Sequence, residues 1–580
     1  MKAGLLFAGI VFAAAATAGN WTPYAGNPVL GNGKLGTCFD VNVVTDGPAP
    51  YTMYFSWRPK KAIALVRSTD GFNWTQEPEI CLAPNPASGW EDLVNRSVTV
   101  KKDGVWHMWY TGQVFVNGSW REGWSRIGYA TSTDGVRFTR VRREPVMVPE
   151  LPFEKTSVMN PYVRWDAKRA LWRMWYAAGE IYEPNVLCYA ESRDGLRWEK
   201  RKEPVFEHGE ALSWDRARVG ACEVHPLPDG RWAMFYIGYS DIDTARIGCA
   251  ISADGITGWR RLGANPLVAP DLGTWNGSAC YKPSCVRDET NNRWMLWYNG
   301  RNGAPEYVGM AVHEGLDLEA PARAPADLKG LLSTYVRRFN AQDVEHYTNA
   351  VPNSAAEDFM LANCPRFACP DKDVERTYYF RWWTFRKHLR RDTGRWLRGP
   401  RYMSDLATFA NDLHAEEGLK TEDERRRGRR LFTSLLWQYA DAQRRTRDPR
   451  SEGGYDVVPW IDENLNPDRP EWLARQMLLA TPSAKNRPRE RGKDYNHSTF
   501  CDLVISGLVG FMPDGAKGFT VDPLFPATWD YLVLENLCYR GHDIDIRWQR
   551  GEGLTVYVDG QEAAASSQLK RVSERRSRWN

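Results

Sequence analysis

In the first half of the chain, five residues share one offset. Asp40, Ser97, Asn160, Glu223 and Lys282 each stand six positions before an aspartate at a turn: Asp46, Asp103, Asp166, Asp229 and Asp288. Glu223 is the sharpest case, in "GACEVHPLPDGRWAMFYIGY", a segment otherwise suited to the interior. A carboxylate there needs a partner, a wet cavity or a catalytic task. Equal offsets on equivalent strands predict one level at one end of a channel. In the second copy a small register change would put Asn95 or Arg96 at that level in place of Ser97. Asp40 and Glu223 would then face one cavity. Paired carboxylates are what cleavage of a glycosidic bond requires: one protonates the leaving oxygen, the other activates water or attacks the sugar carbon. Sharing a site raises one pKa and leaves the other low. Lys282 would favour ionised neighbours or bind a substrate hydroxyl or carboxylate. The plainer alternative is that polar channel residues only hold water.

A repeat must position these residues. The runs "YTMYFSW", "VWHMWYTG", "LWRMWYAAG", "RWAMFYIGY" and "RWMLWYNG" are aromatic, period-two strands, each followed by a second strand. Four copies end in Ser-x-Asp-Gly, with Asp70, Asp134, Asp194 and Asp254 spaced by 64, 60 and 60 residues. A degenerate fifth copy ends at His313-Glu314-Gly315. Repetition near sixty residues with about four short strands per copy predicts an all-β, five-bladed β-propeller over 19–320. The Trp and Tyr side chains then fill the space between blades, with a minority free to stack on a sugar ring.

With "S-x-D-G-x-x-W" at Ser68–Trp74 and its variants at Ser132–Phe138 and Ser192–Trp198, residues 37–320 resemble the five-bladed propeller glycosidases of glycoside hydrolase families 43, 32, 62 and 68. The resemblance implies Asp40 as base or nucleophile and Glu223 as general acid. Asn160 stands where those families place an aspartate. An amide orients a sugar hydroxyl but supplies no charge, so either another acid such as Glu91 or Asp92 compensates, or catalysis is weak, altered or absent. Asn95, Arg96, Asn160 and Lys282 are the expected substrate contacts. The expected function is a secreted glycoside hydrolase. The alternatives are a carbohydrate-binding protein without catalysis and a phosphorolytic enzyme using Lys282, Arg96 and Arg301 for phosphate.

After "APARAPADLKG" the pattern turns mainly helical over 321–512, then strands return over 513–566 before a basic tail at 567–580. The stretches 369–390, 457–472 and 493–511 resemble the (α/α)6-barrel glycosidases of the mannosylglycerate-hydrolase and family-63 type. That resemblance implies a catalytic base at Glu463. Too few helical stretches are present for a full toroid, so a partial barrel with a small β-module is expected.

The balance of 43% hydrophobic and 26% charged residues is globular, and a net charge of +4 gives no case for nucleic acid. Residues 1–18 read as a signal peptide, which predicts a secreted or periplasmic protein with no integral membrane segment after cleavage. The 11 cysteines form no Cys-x-x-Cys pair, and Cys364 and Cys369 are close enough in sequence to bridge. No cofactor is expected. The channel could hold a structural Ca2+, but no ligand spacing demands a metal.

Overall fold

A computed structural model describes residues 21–31, 33–117, 119–180, 184–209, 213–241, 244–271, 274–343, 345, 349–387, 389–392, 395–397, 436, 440, 499–514, 518–525 and 529–575. The chain divides into two units, Met1–Ala320 and Pro321–Asn580.

The first unit is built from four-stranded antiparallel sheets. Strand β1 (Trp21–Pro23) comes first in the chain. The first full sheet is β2 (Cys38–Val44), β3 (Tyr51–Trp57), β4 (Ala62–Ser68) and β5 (Glu79–Leu82). The second is β6 (Leu93–Lys102), β7 (Val105–Val116), β8 (Ser119–Ser132) and β9 (Thr139–Arg140). The third is β10 (Ser157–Asp166), β11 (Leu171–Gly179), β12 (Pro184–Ser192) and β13 (Glu199–Lys200). The fourth is β14 (Arg218–Pro226), β15 (Trp232–Tyr239), β16 (Ala245–Ser252) and β17 (Arg260–Arg261). The last is β18 (Ala279–Asp288), β19 (Arg293–Arg301) and β20 (Tyr307–Glu314), whose fourth strand is β1, paired through Trp21 and His313. The leading strands touch in a circuit: β2 meets β6, β6 meets β10, β10 meets β14, β14 meets β18, and β18 returns to β2.

The aromatic runs join neighbouring sheets. Trp109, Trp175 and Trp297 occupy one position on the second strand of their sheets. Each indole N–H donates to the glycine carbonyl of a neighbouring Ser-x-Asp-Gly turn: Gly195 (3.0 Å), Gly255 (2.8 Å) and Gly71 (3.0 Å). Tyr54 does the same with its hydroxyl, to the Gly135 carbonyl at 2.6 Å. A buried indole or phenol thus spends both its apolar area and its donor. The turns are Asx turns, in which Asp134 accepts from the backbone N–H of Val136 and Arg137 and from the Ser132 hydroxyl. Those donors pull its pKa down to about 2.

A second repeated device lies beneath the loops. The fully buried carboxylates Glu91, Glu154 and Asp215 each accept from a tyrosine and a cation. The sets are Tyr110 (2.6 Å) with Arg140 (2.8 Å), Tyr176 (2.8 Å) with Lys200 (2.9 Å), and Tyr236 (3.0 Å) with Arg261 (2.7 Å). Pairing and hydrogen bonding are what make such burial tolerable.

In the second unit, helices α1 (Leu328–Gln342), α2 (Ala356–Asn363) and α3 (Lys372–Lys387) pack against strands. Asp327 caps α1 by accepting from the Gly330 N–H at 2.8 Å. One apolar core runs from Leu332, Phe339 and Trp383 on the helices to Leu532, Ile546 and Val556 on the strands. Strand Arg366–Ala368 extends the sheet formed by Tyr531–Tyr539, His542–Gln549, Gly553–Val558 and Gln561–Ser566. The C-terminal strands therefore share their sheet and core with the helical segment. Val572–Arg575 pairs with Gly518–Val521, so the basic tail expected from 567 is partly strand. Glu463 and most of the expected barrel lie outside the described residues. All eleven cysteines are free; Cys364 and Cys369 are buried thiols, and Cys538 is exposed. No described helix is long and apolar enough to cross a membrane, and no described cluster of His, Cys, Asp and Glu could hold a metal.

Candidate functional site

Each leading strand carries one extra residue, a bulge. The pairing shifts between Phe39 and Asn42, Asn95 and Val98, Met159 and Tyr162, Gly220 and Cys222, and Tyr281 and Ser284. Within four of these bulges the backbone is left-handed at a residue other than glycine: Asp40 (φ 55°), Arg96 (φ 51°), Asn160 (φ 52°) and Lys282 (φ 50°). Asp and Asn tolerate this region; Arg and Lys do so at a cost of about 1 kcal/mol or more. Such strain, repeated at one level, makes these bulges the candidate site.

This register revises the level read from the sequence. Glu223 pairs with Phe235, as Asn42 pairs with Tyr54 and Ser284 with Trp297. It therefore stands two positions beyond the level of Asp40, which in its own strand is held by Ala221. In the second sheet the level belongs to Arg96 rather than Ser97. At the Glu223 level, side chains join one sheet to the next. Glu223 accepts from the Cys285 N–H (2.8 Å), Asn42 from the Thr99 N–H (2.9 Å), and Ser284 from the Val43 N–H (2.8 Å). Asn42 also donates to Glu223 at 3.5 Å, and His225 Nε2 lies 3.3 Å from it. Burial holds the His225 pKa below its ordinary value, against the pull of Glu223.

A cavity of about 110 Å3 opens at the bulges, several times what one water requires. Its polar wall is Asp40, Arg58, Asn95, Arg96, Gln113, Asn160, Arg301 and Glu306. Ile237, Tyr239, Ala245 and Tyr281 form an apolar wall opposite in character. Glu223 and Lys282 are not among the lining residues. Neither are Glu91, spent on Tyr110 and Arg140, and Asp92, which accepts from the Phe115 N–H at 3.1 Å. So no second acid compensates for Asn160 in the way expected. Buried atoms without a protein partner among the described residues include Asn95 Oδ1, Asn160 Oδ1 and Arg96 Nη1. Two acceptors and one charged donor at one cavity suit a polyhydroxylated or anionic ligand.

Asp40 is the focus of this wall. Its backbone N–H donates to Asn299 Oδ1 at 2.6 Å, and the Asn299 amide donates to the Cys38 carbonyl at 3.1 Å. Its carboxylate lies 3.6 Å from the Arg96 guanidinium. Burial raises its pKa, opposed by the charges of Arg96, Lys282 and Arg58 and by the Ser56 hydroxyl. A carboxyl whose neutral form burial favours, beside cations that stabilise its anion, can give and take a proton.

Sequence reasoning missed Glu306 and Arg58. Glu306 precedes β20 and accepts from the Tyr281 hydroxyl; Arg58 follows β3 and stacks 4.3 Å over Phe39. Both sit in connections between strands, where a search along the leading strands does not reach.

Residues 38–225 match the glycosyl hydrolases family 32 N-terminal domain, and residues 514–565 match the glycosyl hydrolase family 65 C-terminal domain. The uncharacterized protein Rv1502 of Mycobacterium tuberculosis is 32% identical over 217 residues, 36% of this chain and 67% of that protein. This chain belongs to the family of that mycobacterial protein. A 1,2-beta-oligomannan phosphorylase of Thermoanaerobacter sp. is 25% identical over 252 residues, 43% of this chain and 77% of the relative. Among solved structures, a thermostable family-43 glycoside hydrolase aligns over 52% of this chain and 97% of its own, with 15% identity and a TM-score of 0.40. A structure from work on the family-130 mannoside phosphorylases, which include hydrolases of β-1,2 mannosidic linkages in Candida mannan, aligns over 52% and 98%, with 16% identity and a TM-score of 0.39. The family-model match over 38–225, together with the circuit of four-stranded sheets, makes the first unit a glycoside-hydrolase-like propeller domain.

Proposed function

We propose that the first unit is a five-bladed propeller enzyme that cleaves a glycosidic bond by transferring the glycosyl group to inorganic phosphate, with a β-linked mannoside as substrate. The observation carrying this reading is a single buried acid, Asp40, ringed by cations at one cavity, with Arg58, Arg96 and Arg301 all lining it. The similarity to a 1,2-beta-oligomannan phosphorylase supports it. Protonated Asp40 gives its proton to the glycosidic oxygen as the bond to the anomeric carbon breaks. Phosphate held by the arginines attacks that carbon from the opposite face, yielding an inverted sugar 1-phosphate and a shortened saccharide. The Asp40 carboxylate left behind is stabilised by Arg96 and Lys282. Asn95 and Asn160 accept sugar hydroxyls, and Ile237, Tyr239 and Tyr281 receive the apolar face of the ring. Glu223 serves as a link between sheets.

One observation favours a second reading, hydrolysis: Glu306, half-buried where Asp40 is buried, lines the same cavity and offers a second carboxylate. Incubation with β-1,2-mannobiose, with and without phosphate, separates the two. Sugar 1-phosphate formed only with phosphate supports phosphorolysis. Free mannose released at equal rate without phosphate replaces it with hydrolysis, and saturable binding without turnover of any mannoside or aryl glycoside leaves a binding protein.

A further inference from the structure

Ser56 lies on β3, buried, at a position that recurs around the circuit. By pairing register its equivalents are Thr111, Ala177, Ile237 and Asn299. Where this position carries an acceptor, the acceptor takes the backbone N–H of a left-handed residue on the neighbouring sheet. Ser56 Oγ accepts from the Arg96 N–H (3.0 Å), Thr111 Oγ1 from the Asn160 N–H (3.1 Å), and Asn299 Oδ1 from the Asp40 N–H (2.6 Å). Ser56 alone of these has a further contact with the acid: its hydroxyl donates to Asp40 Oδ2 at 3.4 Å.

A serine hydroxyl has one proton to give. Its oxygen is engaged by Arg96, and its proton is directed at Oδ2. Oδ2 also faces the Arg96 guanidinium at 3.6 Å. An oxygen met by a hydroxyl proton and a cation is a poor place for a second proton. We propose that Ser56 is a positioning residue that keeps Asp40 Oδ2 as the unprotonated acceptor, so that the transferable proton resides on Oδ1. The inference rests on the reading of Asp40 as the acid and adds how its proton is placed. The charged and titratable groups around Asp40 are Arg96 on β6, Lys282 on β18, Arg58 after β3 and the Tyr281 hydroxyl on β18, with Arg301 on β19 and Glu306 before β20 lining the same cavity. Each remains when Ser56 is changed.

The test uses the full chain labelled with [4-13C]aspartate, the Asp40 signal being identified by its loss in Asp40→Asn. Removing a donor to the ionised carboxylate favours the protonated form. Ser56→Ala is therefore expected to titrate Asp40 at higher pH than wild type, and kcat/KM is expected to fall about tenfold, roughly one charged hydrogen bond. Ser56→Thr is expected to restore both, since Thr111 shows that this position holds a threonine. Should Ser56→Ala not fold, Ser56→Cys, a weaker donor of similar size, carries the same expectation. An Asp40 titration unchanged in Ser56→Ala or Ser56→Cys overturns the inference; a merely structural serine would lower the melting temperature and leave the titration in place. The titration needs no substrate, so it stands apart from the functional reading. That reading is judged by which limb of the pH–rate profile moves: the alkaline limb shifts upward if Asp40 is the acid, and a shift of the acidic limb instead removes Asp40 from that role.

Discussion

At the residue scale, the proposed reading gives Asp40 and Glu223 two different uses of a buried carboxylate. Asp40 → Asn keeps the shape and loses the proton, so turnover is expected to fall at least a hundredfold. Glu223→Gln keeps a carbonyl oxygen for the Cys285 N–H and is expected to hold activity within a few-fold; initial rates on one mannoside measure both. Stability should respond in the opposite sense. Burial raises the Asp40 pKa in the folded chain, so its contribution to stability is complete below the ordinary aspartate value and is lost as pH rises through the folded one. Asp40→Asn does not suffer that loss. Its melting temperature should climb relative to wild type across that rise, as read by thermal unfolding at a series of pH values. That outcome would mean that the candidate site is held together at the expense of stability.

At the scale of elements, the carboxylate sets under the loops are stability devices, and removing one acid leaves a buried cation and phenol unsatisfied. Asp215→Ala, which strands Arg261 and Tyr236, should cost about 3–5 kcal/mol, measured by denaturant unfolding. The sheets themselves were legible: each aromatic run became a second strand, and each Ser-x-Asp-Gly became the turn that receives a neighbouring indole or phenol. The level of the site was only partly legible. From the residue at the bulge to the aspartate of the turn is six positions for Asp40, Asn160 and Lys282, but seven for Arg96 and eight for Ala221. A fixed offset therefore found three members and misplaced two, Ser97 and Glu223. The left-handed bulges could not be read, because nothing in the types Arg and Lys announces such a conformation. Of the cations that complete the cavity, Arg58 lies just after β3 and Arg301 at the end of β19, and no periodicity marks them. In the second unit, the helical pattern was clear over α1 and α3. The pairing of Arg366–Ala368 with a strand far along the chain was not, since three residues carry no register signal.

At the scale of the whole molecule, thiol chemistry is a direct check on packing. Ten cysteines are buried and Cys538 is exposed, so a thiol reagent should modify one group in the native protein and eleven after denaturation. Burial raises the others well above the ordinary thiol range, Cys38 to about 12, which further slows their reaction.

The pairing of Trp21 with His313 has a temporal side. At roughly 5–20 residues per second on the ribosome, the mate of that first strand arrives about 15–60 s after it. For that interval a nascent chain already rich in bared backbone edges has no native means of covering them. Slower translation lengthens the exposure, so the soluble yield of this protein should depend on holdase chaperones more than its finished architecture would suggest.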